Sequence, residues 1–402
     1  MDNFWYEEGK WWVSPYNFTD EVRKEFSLPE NVSIHDATLR DGEQTPGVVF
    51  TKEDKIKIAQ ELDKIGIERI EAGMPAVSQD DFEAIKEITS LNLKAKIFTF
   101  ARAMKQDIDS AVDCGAYGVV IEIPIGFPKL KYQFNWTWED VLRKSVDVIN
   151  YAKEKNLYVV YFPYDTTRAR ISDLENLLKG IIKNSNPDSV GVIDTMGCAL
   201  PQAIQFLVKK VKTLTKLPVE VHTHNDFGMA VATELAGIMA GAEVVHSCIN
   251  GLGERTGNAA LEELLLGIHI LLGIRKDYKF NRIVEFANLL EEISGVKLPQ
   301  NKPVTGKMNF TRESGIGVDL VIKEPLAMFA TDPKFTDRKG EIVLGKKSGK
   351  LSVLYYLDML GIKDIADEKI IEILKQVKLL GLRKRTLVNL DEFKQITNKI
   401  LG

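Results

Sequence analysis

The feature that most constrains the fold of this chain is an eightfold alternation of short apolar runs with amphipathic stretches. Each run is rich in β-branched residues and ends in a polar turn, and the stretch after it has the 3.6-residue period of a helix. The predicted strands are VSIHDAT (32–38), ERIEAG (68–73), KAKIFTFA (94–101), GVVIEIPI (118–125), YVVYFPY (158–164), SVGVIDT (189–195), VEVHTHN (219–225) and EVVHSCIN (243–250).

Strand–helix units in one continuous series predict an α/β fold, a (β/α)8 TIM barrel whose strands are buried on both faces. A doubly wound open sheet is the alternative, and it would carry a glycine-rich phosphate turn after its first strand. The turn in question, DATLRDGEQTPG (36–47), lacks the GxGxxG spacing. We therefore favour the barrel.

The chain has 402 residues, which allows a barrel and an appendage. The alternation ends near residue 275, and loop-rich and helical segments follow, so we expect a smaller, mostly helical C-terminal extension. The predicted parts are an N-terminal aromatic arm (1–27), a TIM-barrel catalytic domain (28–275), and a C-terminal linker with a helical subdomain (276–402). The aromatic residues of the arm are expected to pack on the barrel or on a neighbouring subunit.

Composition argues against several classes of protein. Lys and Arg number 53 against 57 Asp and Glu, so there is no basic excess for binding nucleic acid. No segment reaches the roughly 18 apolar residues of a membrane span. The three cysteines, Cys114, Cys198 and Cys248, form no CxxC pair, which favours reduced thiols in a cytoplasmic protein.

Polar residues gather at the carboxyl ends of the predicted strands, where TIM barrels place their active sites. The seventh strand ends in HTHND (222–226), and alternate residues of a strand share a face, so His222 and His224 point to one place. A carboxylate from RDGE (40–43) after the first strand can reach that place, as can an amide oxygen from beyond the eighth strand. Such donors suit Mg²⁺, Mn²⁺ or Zn²⁺. The alternative is a pair of hydrogen-bonded core histidines.

The loop after the eighth strand, GLGERTGN (251–258), is also rich in glycine but lacks the dinucleotide-binding spacing. Its glycines predict sharp backbone turns that bring Glu254 and Asn258 back over the mouth of the barrel.

Four motifs in this order, DATLRDGEQTPG, DTMG, HTHNDFGMA and NGLGERTGNAALEE, resemble the family of 2-isopropylmalate, homocitrate and citramalate synthases. That family is a branch of a metal-dependent TIM-barrel superfamily that also contains HMG-CoA lyase. The resemblance covers roughly residues 30–275 and continues more loosely through NKPVTG, ESGIG and LGKKSGK. It implies a pyruvate carboxyltransferase domain and a role in amino-acid biosynthesis.

The resemblance also implies roles for individual residues. The implied metal ligands are Asp41, His222, His224 and Asn258. Arg40 is expected to stabilise charge on the acceptor's carbonyl oxygen, while Gln44 and Thr195 are expected to bind the acceptor with it. Glu254 is expected to act at the substrate side of the site.

The chain departs from the family pattern in the group that removes a proton. Synthases of this family carry a glutamate late in the fifth strand and a histidine in a post-barrel SGIH motif, but this chain has Tyr164 and Gly317 there. The predicted base is Asp165. The alternatives are Tyr164, Glu122 and Glu71.

The implied activity is a divalent-metal-dependent Claisen condensation of acetyl-CoA, or another acyl-CoA, with a 2-oxo acid, in an enzyme expected to be a homodimer. The alternative is a metal-dependent carbon–carbon lyase or aldolase of the same superfamily. HMG-CoA lyase itself is disfavoured, because GLGERTGN lacks the catalytic cysteine of that enzyme's loop. A non-catalytic metal-binding barrel is disfavoured by the complete set of polar residues at the mouth.

Overall fold

A computed structural model describes residues 4–402, so the first three residues of the predicted arm lie outside the described residues. The chain forms two compact units. The larger unit contains Tyr16–Lys279 and Glu285–Lys297. The smaller unit contains the residues up to Pro15, together with Phe280–Val284 and Leu298–Gly402. The larger unit extends beyond both ends of the predicted catalytic domain.

Eight parallel strands close into a barrel in the larger unit, which confirms the predicted fold. In chain order they are β1 (Ser33–Asp36), β2 (Arg69–Glu71), β3 (Lys96–Arg102), β4 (Gly118–Pro124), β5 (Tyr158–Tyr164), β6 (Ser189–Asp194), β7 (Val219–Thr223) and β8 (Val244–Ser247). The barrel closes between β8 and β1, where His246 lies opposite His35. Each of the eight predicted strands therefore corresponds to an observed one.

A helix follows every strand and covers the outside of the barrel. The helices are α1 (Lys52–Ile65), α2 (Gln79–Ser90), α3 (Lys105–Asp113), α4 (Trp138–Glu154), α5 (Ile171–Asn184), α6 (Pro201–Thr215), α7 (Ala230–Met239) and α8 (Leu261–Leu266). α1 begins with a capping box in which Thr51 Oγ1 accepts from the Asp54 N–H and the Asp54 carboxylate accepts from the Thr51 N–H. No helix in the described part of the chain is long and apolar enough to cross a bilayer.

The interior of the barrel contains charged side chains as well as apolar ones. Near the amino ends of the strands, Arg69 Nη1 donates to Glu220 Oε1 at 2.8 Å, and His246 Nε2 lies 3.0 Å from Glu220 Oε2. The His246 ring stacks on the His35 ring with centroids 4.3 Å apart. Buried charges must be paired, and further charged pairs lie at the carboxyl-terminal mouth of the barrel. The apolar part of the interior is formed by Phe98, Phe100, Val120, Val160, Phe162 and Ile193.

The smaller unit is mostly helical in its C-terminal part, as the sequence predicts. Its main helices are Lys350–Met359, Asp367–Lys384 and Leu390–Leu401. Its short strands form two pairs, Tyr6–Glu7 with Trp11–Trp12 and Thr311–Arg312 with Glu341–Ile342. A further helix, Ile283–Ser294, begins in this unit, and from Glu285 onward its residues belong to the larger unit.

The aromatic arm has a packing partner that the sequence did not predict. Trp11 is 1% exposed and packs edge-on against Phe335, with ring centroids 5.5 Å apart. The backbone N–H of Trp12 donates to the carbonyl of Ala330. The described part of the arm up to Pro15 is therefore held by residues late in the chain that belong to the same unit.

Candidate metal centre at the mouth of the barrel

The residues predicted to hold a metal converge at the carboxyl-terminal mouth of the barrel. His222 lies on β7 and His224 directly follows it, so both rings point inward. Asp41 lies in the turn after β1, and Asn258 lies in the loop after β8, where its backbone pairs with that of His224. All four side chains are buried.

Three of these side chains bring their donor atoms close to one another. His222 Nε2 lies 3.4 Å from His224 Nε2 and 3.4 Å from Asp41 Oδ2. His224 Nε2 lies 3.8 Å from the same carboxylate oxygen. A cation bound at about 2.1 Å needs donors roughly 3.0–3.5 Å apart in octahedral or tetrahedral geometry. Two of the three separations fall within this range and the third exceeds it by 0.3 Å, so the three atoms surround a site of about the size that a divalent cation needs.

The electrostatics of the cluster favour the protonation states that bind a metal. Burial alone would raise the pKa of Asp41, but Arg40 and the two histidines hold it well below its ordinary value. Burial lowers the pKa of His222, and it lowers that of His224 to about 4. At neutral pH the carboxylate is charged and both imidazoles are neutral, as metal ligands must be.

Asn258 has an oxygen that lacks a partner. Its Nδ2 donates to Asp41 Oδ1 at 3.1 Å and to the Leu252 carbonyl at 2.9 Å. Its Oδ1 is buried and accepts no hydrogen bond from any of residues 4–402. An unsatisfied buried acceptor is costly, and a cation in the cluster would supply the missing interaction. The residues present thus fit the divalent cation that the sequence predicts.

Arg40 is fixed beside the cluster by two carboxylates. Its Nη1 donates to Asp41 Oδ2 at 2.6 Å, and its Nε and Nη2 donate to the two oxygens of Glu71 at 2.9 and 3.3 Å. The guanidinium stacks over Phe100, 4.5 Å from the ring centroid. Burial would lower the pKa of Arg40, but Glu71 and Asp41 raise it, so the side chain stays charged. Such a fixed charge can stabilise an oxyanion without reorganisation.

A cavity of about 240 Å³ opens above the cluster. Seven of the residues predicted from the sequence line it, namely Arg40, Asp41, Gln44, Thr195, His222, His224 and Glu254. Thr195 Oγ1 accepts from the Asp165 N–H at 2.8 Å, so its own hydrogen is available to a ligand. Arg40, Gln44 and Phe100 also line an adjoining cavity of about 390 Å³ with apolar walls that include Val48 and Met74.

The glycine-rich loop after β8 turns as its sequence predicts. Gly253 has a φ of +147°, and a Cβ there would lie 2.2 Å from Asn258 Nδ2. Gly257 has a φ of +82°, and a Cβ there would lie 1.8 Å from the Gly251 carbonyl oxygen. Only glycine fits both positions, and the resulting turn carries Asn258 to Asp41.

The structure does not bring Asp165, the base predicted from the sequence, to the cavity. Asp165 is fully buried, and its two carboxylate oxygens accept from Arg168 Nε and Nη2, both at 2.8 Å. The preceding residue, Tyr164, lines the cavity instead. Asp165 follows β5 with a φ of 61°, and its carboxylate, paired with Arg168, does not line the cavity.

Three further charged residues line the cavity, namely Glu122, Lys129 and Arg255. No motif or spacing in the sequence singles out Lys129 or Arg255. Arg255 Nη2 donates to the Thr195 carbonyl at 2.6 Å and to Asp226 at 3.0 Å. The motif GERTGN contains this arginine, but its spacing does not predict those partners.

Comparison with known proteins identifies one family and related synthases. Residues 31–290 match the family described as HMGL-like. The chain is 40% identical to homocitrate synthase AksA of Methanocaldococcus jannaschii, over 97% of this chain and 94% of that protein. It is also 40% identical to 2-isopropylmalate synthase of the same organism, over 91% of this chain and 71% of that protein.

Among solved structures, the chain is similar to an HMG-CoA lyase from Bacillus subtilis. The TM-score is 0.61 at 20% identity, with 68% of this chain and 96% of that chain covered. At this identity the likeness shows a shared fold.

Proposed function

The chain belongs to the HMGL-like family, and from that premise we propose that it is an acyltransferase that condenses acetyl-CoA with a 2-oxo acid. The products are CoA and a 2-alkylmalate or homocitrate-like acid. The family match confirms the resemblance predicted from the four motifs. The observation that carries the proposal is the approach of Asp41, His222 and His224 donor atoms to within 3.8 Å of one another, beside the fixed charge of Arg40.

The cavity is suited to a 2-oxo acid. Asp41, His222, His224 and Asn258 would hold a divalent cation, which would supply Lewis-acid polarisation of a carbonyl group. The Thr195 hydroxyl, whose oxygen is already engaged by a backbone N–H, donates to the acceptor's carboxylate. Gln44 stands at the rim of the same cavity. The neutral side chains of Thr195 and Gln44 and the divalent cation would thus surround the acceptor. This environment suits an acceptor that is an anion.

The condensation places new negative charge on the acceptor. When the acetyl methyl carbon attacks the carbonyl carbon, the carbonyl electron pair moves onto oxygen. Arg40 stabilises that oxygen because its guanidinium is held in place by Asp41 and Glu71 before the reaction begins. The oxygen is then protonated, and water hydrolyses the thioester so that CoA leaves as a thiol. We assign assistance of this later step to Glu254, which lines the cavity and has an exposed side chain.

The metal and the cellular compartment can be proposed from the ligand atoms and from the composition. Two imidazoles with a carboxylate and an amide oxygen suit Mg²⁺, Mn²⁺ or Zn²⁺. Sparse, unpaired cysteines suit the reducing cytoplasm. We take the functional form to be a homodimer. Both synthase relatives favour condensation over the lyase or aldolase alternative.

Sequence identity does not distinguish which 2-oxo acid is the acceptor, because the chain is 40% identical both to a homocitrate synthase and to a 2-isopropylmalate synthase. The test is a thiol-release assay with acetyl-CoA, Mg²⁺ or Mn²⁺, and a panel of 2-oxo acids with short, branched and carboxylated side chains. We expect metal-dependent thiol release with one class of acceptor. Absence of thiol release with every acceptor would refute the proposal.

A further inference from the structure

Condensation of acetyl-CoA requires a group that takes a proton from its methyl carbon, and that group must reach the cavity. Three carboxylates line the cavity within residues 4–402, namely Asp41, Glu122 and Glu254. Tyr164 lines it too, and Glu71 lies directly behind Arg40. The base is therefore one of these five groups, because His222 and His224 are assigned as metal ligands.

Two of the five are not available to a substrate. Asp41 is assigned to the metal, and its Oδ2 accepts from Arg40 Nη1. Burial would raise the pKa of Glu71, but Arg40 and His35 bring it to about 2. Both oxygens of Glu71 accept from Arg40, so this carboxylate also lacks access to a substrate.

Two more are poorly suited in other ways. Burial raises the pKa of Tyr164, and the nearby Glu122 and Asp165 carboxylates raise it further, so its hydroxyl stays protonated. The side chain of Glu254 is 57% exposed and lies 3.4 Å from Arg255. Glu254 therefore faces solvent at the rim and is not fixed over the cluster.

Glu122 remains, and the strand geometry directs it into the cavity. It lies two residues after Val120, which belongs to the apolar interior of the barrel, so the two side chains share a face of β4. The register with β5 places Glu122 opposite Phe162 and Pro124 opposite Tyr164. Glu122 is half-buried and has no hydrogen-bond or ion-pair partner within residues 4–402. Its carboxylate is thus available to a substrate.

We propose that Glu122 is the general base of the reaction, an assignment that rests on the condensation proposed above. A carboxylate oxygen of Glu122 takes a proton from the acetyl methyl group. The electron pair of that C–H bond becomes the carbon–carbon double bond of the enolate, while the thioester carbonyl pair moves onto its oxygen. The enolate then attacks the acceptor's carbonyl carbon, and the proton on Glu122 is returned to solvent.

The charges around Glu122 suit this role. Burial raises the pKa of Glu122 to about 7; Arg40 opposes this, Asp41 and Glu71 add to it, and Lys129 also opposes it. A base whose pKa lies near the working pH is charged in a large fraction of molecules and still holds a proton well. The other ionisable groups of the cavity wall are Tyr164, His222, His224, Glu254 and Arg255.

The test begins with the wild-type enzyme and the acceptor that gives thiol release. With Glu122→Gln, we expect kcat to fall about 100-fold or more, while calorimetric binding of the 2-oxo acid in the presence of Mn²⁺ changes less than threefold. A second assay measures exchange of the acetyl-CoA methyl protons with D₂O by mass spectrometry, with oxamate in place of the acceptor. This exchange should also be lost in Glu122→Gln. Glu122→Asp should restore part of the exchange.

The matched control is Glu139→Gln, the same substitution at an exposed position of α4, which should leave kcat unchanged. The wild-type kcat/KM should rise with pH around pH 7, and this rise should disappear in Glu122→Gln. Lys129→Gln should move the midpoint of the rise to higher pH, because it removes a charge that lowers the pKa of Glu122.

The outcomes are distinguishable. Glu122→Gln that keeps kcat within about fivefold of an active wild type overturns the assignment of the base and leaves the condensation standing. Loss of 2-oxo acid binding in Glu122→Gln, with methyl exchange retained, also overturns it and makes Glu122 a recognition residue. A wild-type enzyme that releases no thiol with any acceptor refutes the proposed function itself.

Discussion

Replacing Glu71 with Gln tests whether the buried charges of the barrel are organised as the structure indicates. Glu71 is fully buried and accepts two hydrogen bonds from Arg40. Burial opposes its ionisation, yet Arg40 and His35 lower its pKa from 4.5 to about 2. One pKa unit corresponds to about 1.4 kcal/mol, so the charged form is favoured in the folded state by about 3 kcal/mol.

Glu71→Gln removes this stabilisation and leaves the Arg40 charge poorly compensated. We expect the free energy of unfolding at pH 7 to fall by about 3 kcal/mol, measured by urea denaturation. Because the folded-state pKa is depressed, the wild-type advantage is complete above about pH 4.5 and is lost as the pH falls towards 2. The difference between the two proteins should shrink over that range. A kcat lower by about 10–100-fold should accompany it, since Arg40 loses its support.

The control for this experiment is Glu87→Gln, which removes an exposed partner of Lys52 on the protein surface. Exposed pairs contribute little, so its unfolding curve should superimpose on that of the wild type. The reasoning is refuted if Glu71→Gln is as stable as Glu87→Gln at pH 7, or if its destabilisation stays the same down to pH 3.

Other predictions concern the mouth of the barrel. His224→Ala should abolish Mn²⁺ binding in calorimetry while circular dichroism stays unchanged; retained binding contradicts the ligand set. Arg40→Gln should keep metal binding and lower kcat by about 10²–10³-fold, and an unchanged kcat would show that its charge is not used. Gly253→Ala places a Cβ 2.2 Å from Asn258 Nδ2, so Mn²⁺ should bind about 10–100-fold more weakly; equal affinity would show that Asn258 is not a ligand.

Much of the fold and of the metal cluster is predictable because both depend on local periodicity. The alternation of apolar runs and helical stretches determines the barrel, and a barrel brings all strand ends to one rim. The period of two places His222 and His224 on the same face, and the closure of β8 onto β1 brings Asp41 near them.

The groups around the cluster are less predictable because their roles depend on long-range contacts. Asp165 and Tyr164 are adjacent in sequence, but only Tyr164 faces the cavity. Arg168, which donates to the Asp165 carboxylate, lies three positions later in the sequence. The sequence shows that the arginine is there but does not show that the two side chains are in contact. Burial raises the pKa of Glu122 to about 7, with contributions from charges elsewhere in the barrel, and no local sequence pattern encodes this.

The pairing of Arg40 with Glu71 shows the same limit. The sequence places these residues after β1 and on β2, and it leaves Glu71 among the possible bases. The structure shows instead a carboxylate that orients Arg40 through two hydrogen bonds.

The most direct test of the account follows the acetyl carbon itself. Acetyl-CoA labelled with ¹³C at the methyl group is incubated with the enzyme, Mn²⁺ and the active 2-oxo acid, and the products are analysed by ¹³C NMR. We predict that the label appears as a methylene carbon bonded to a tertiary hydroxy-acid carbon, that CoA is released in equal amount, and that chelation of the metal stops both. Label recovered only as free acetate, or as unchanged acetyl-CoA, would contradict the account.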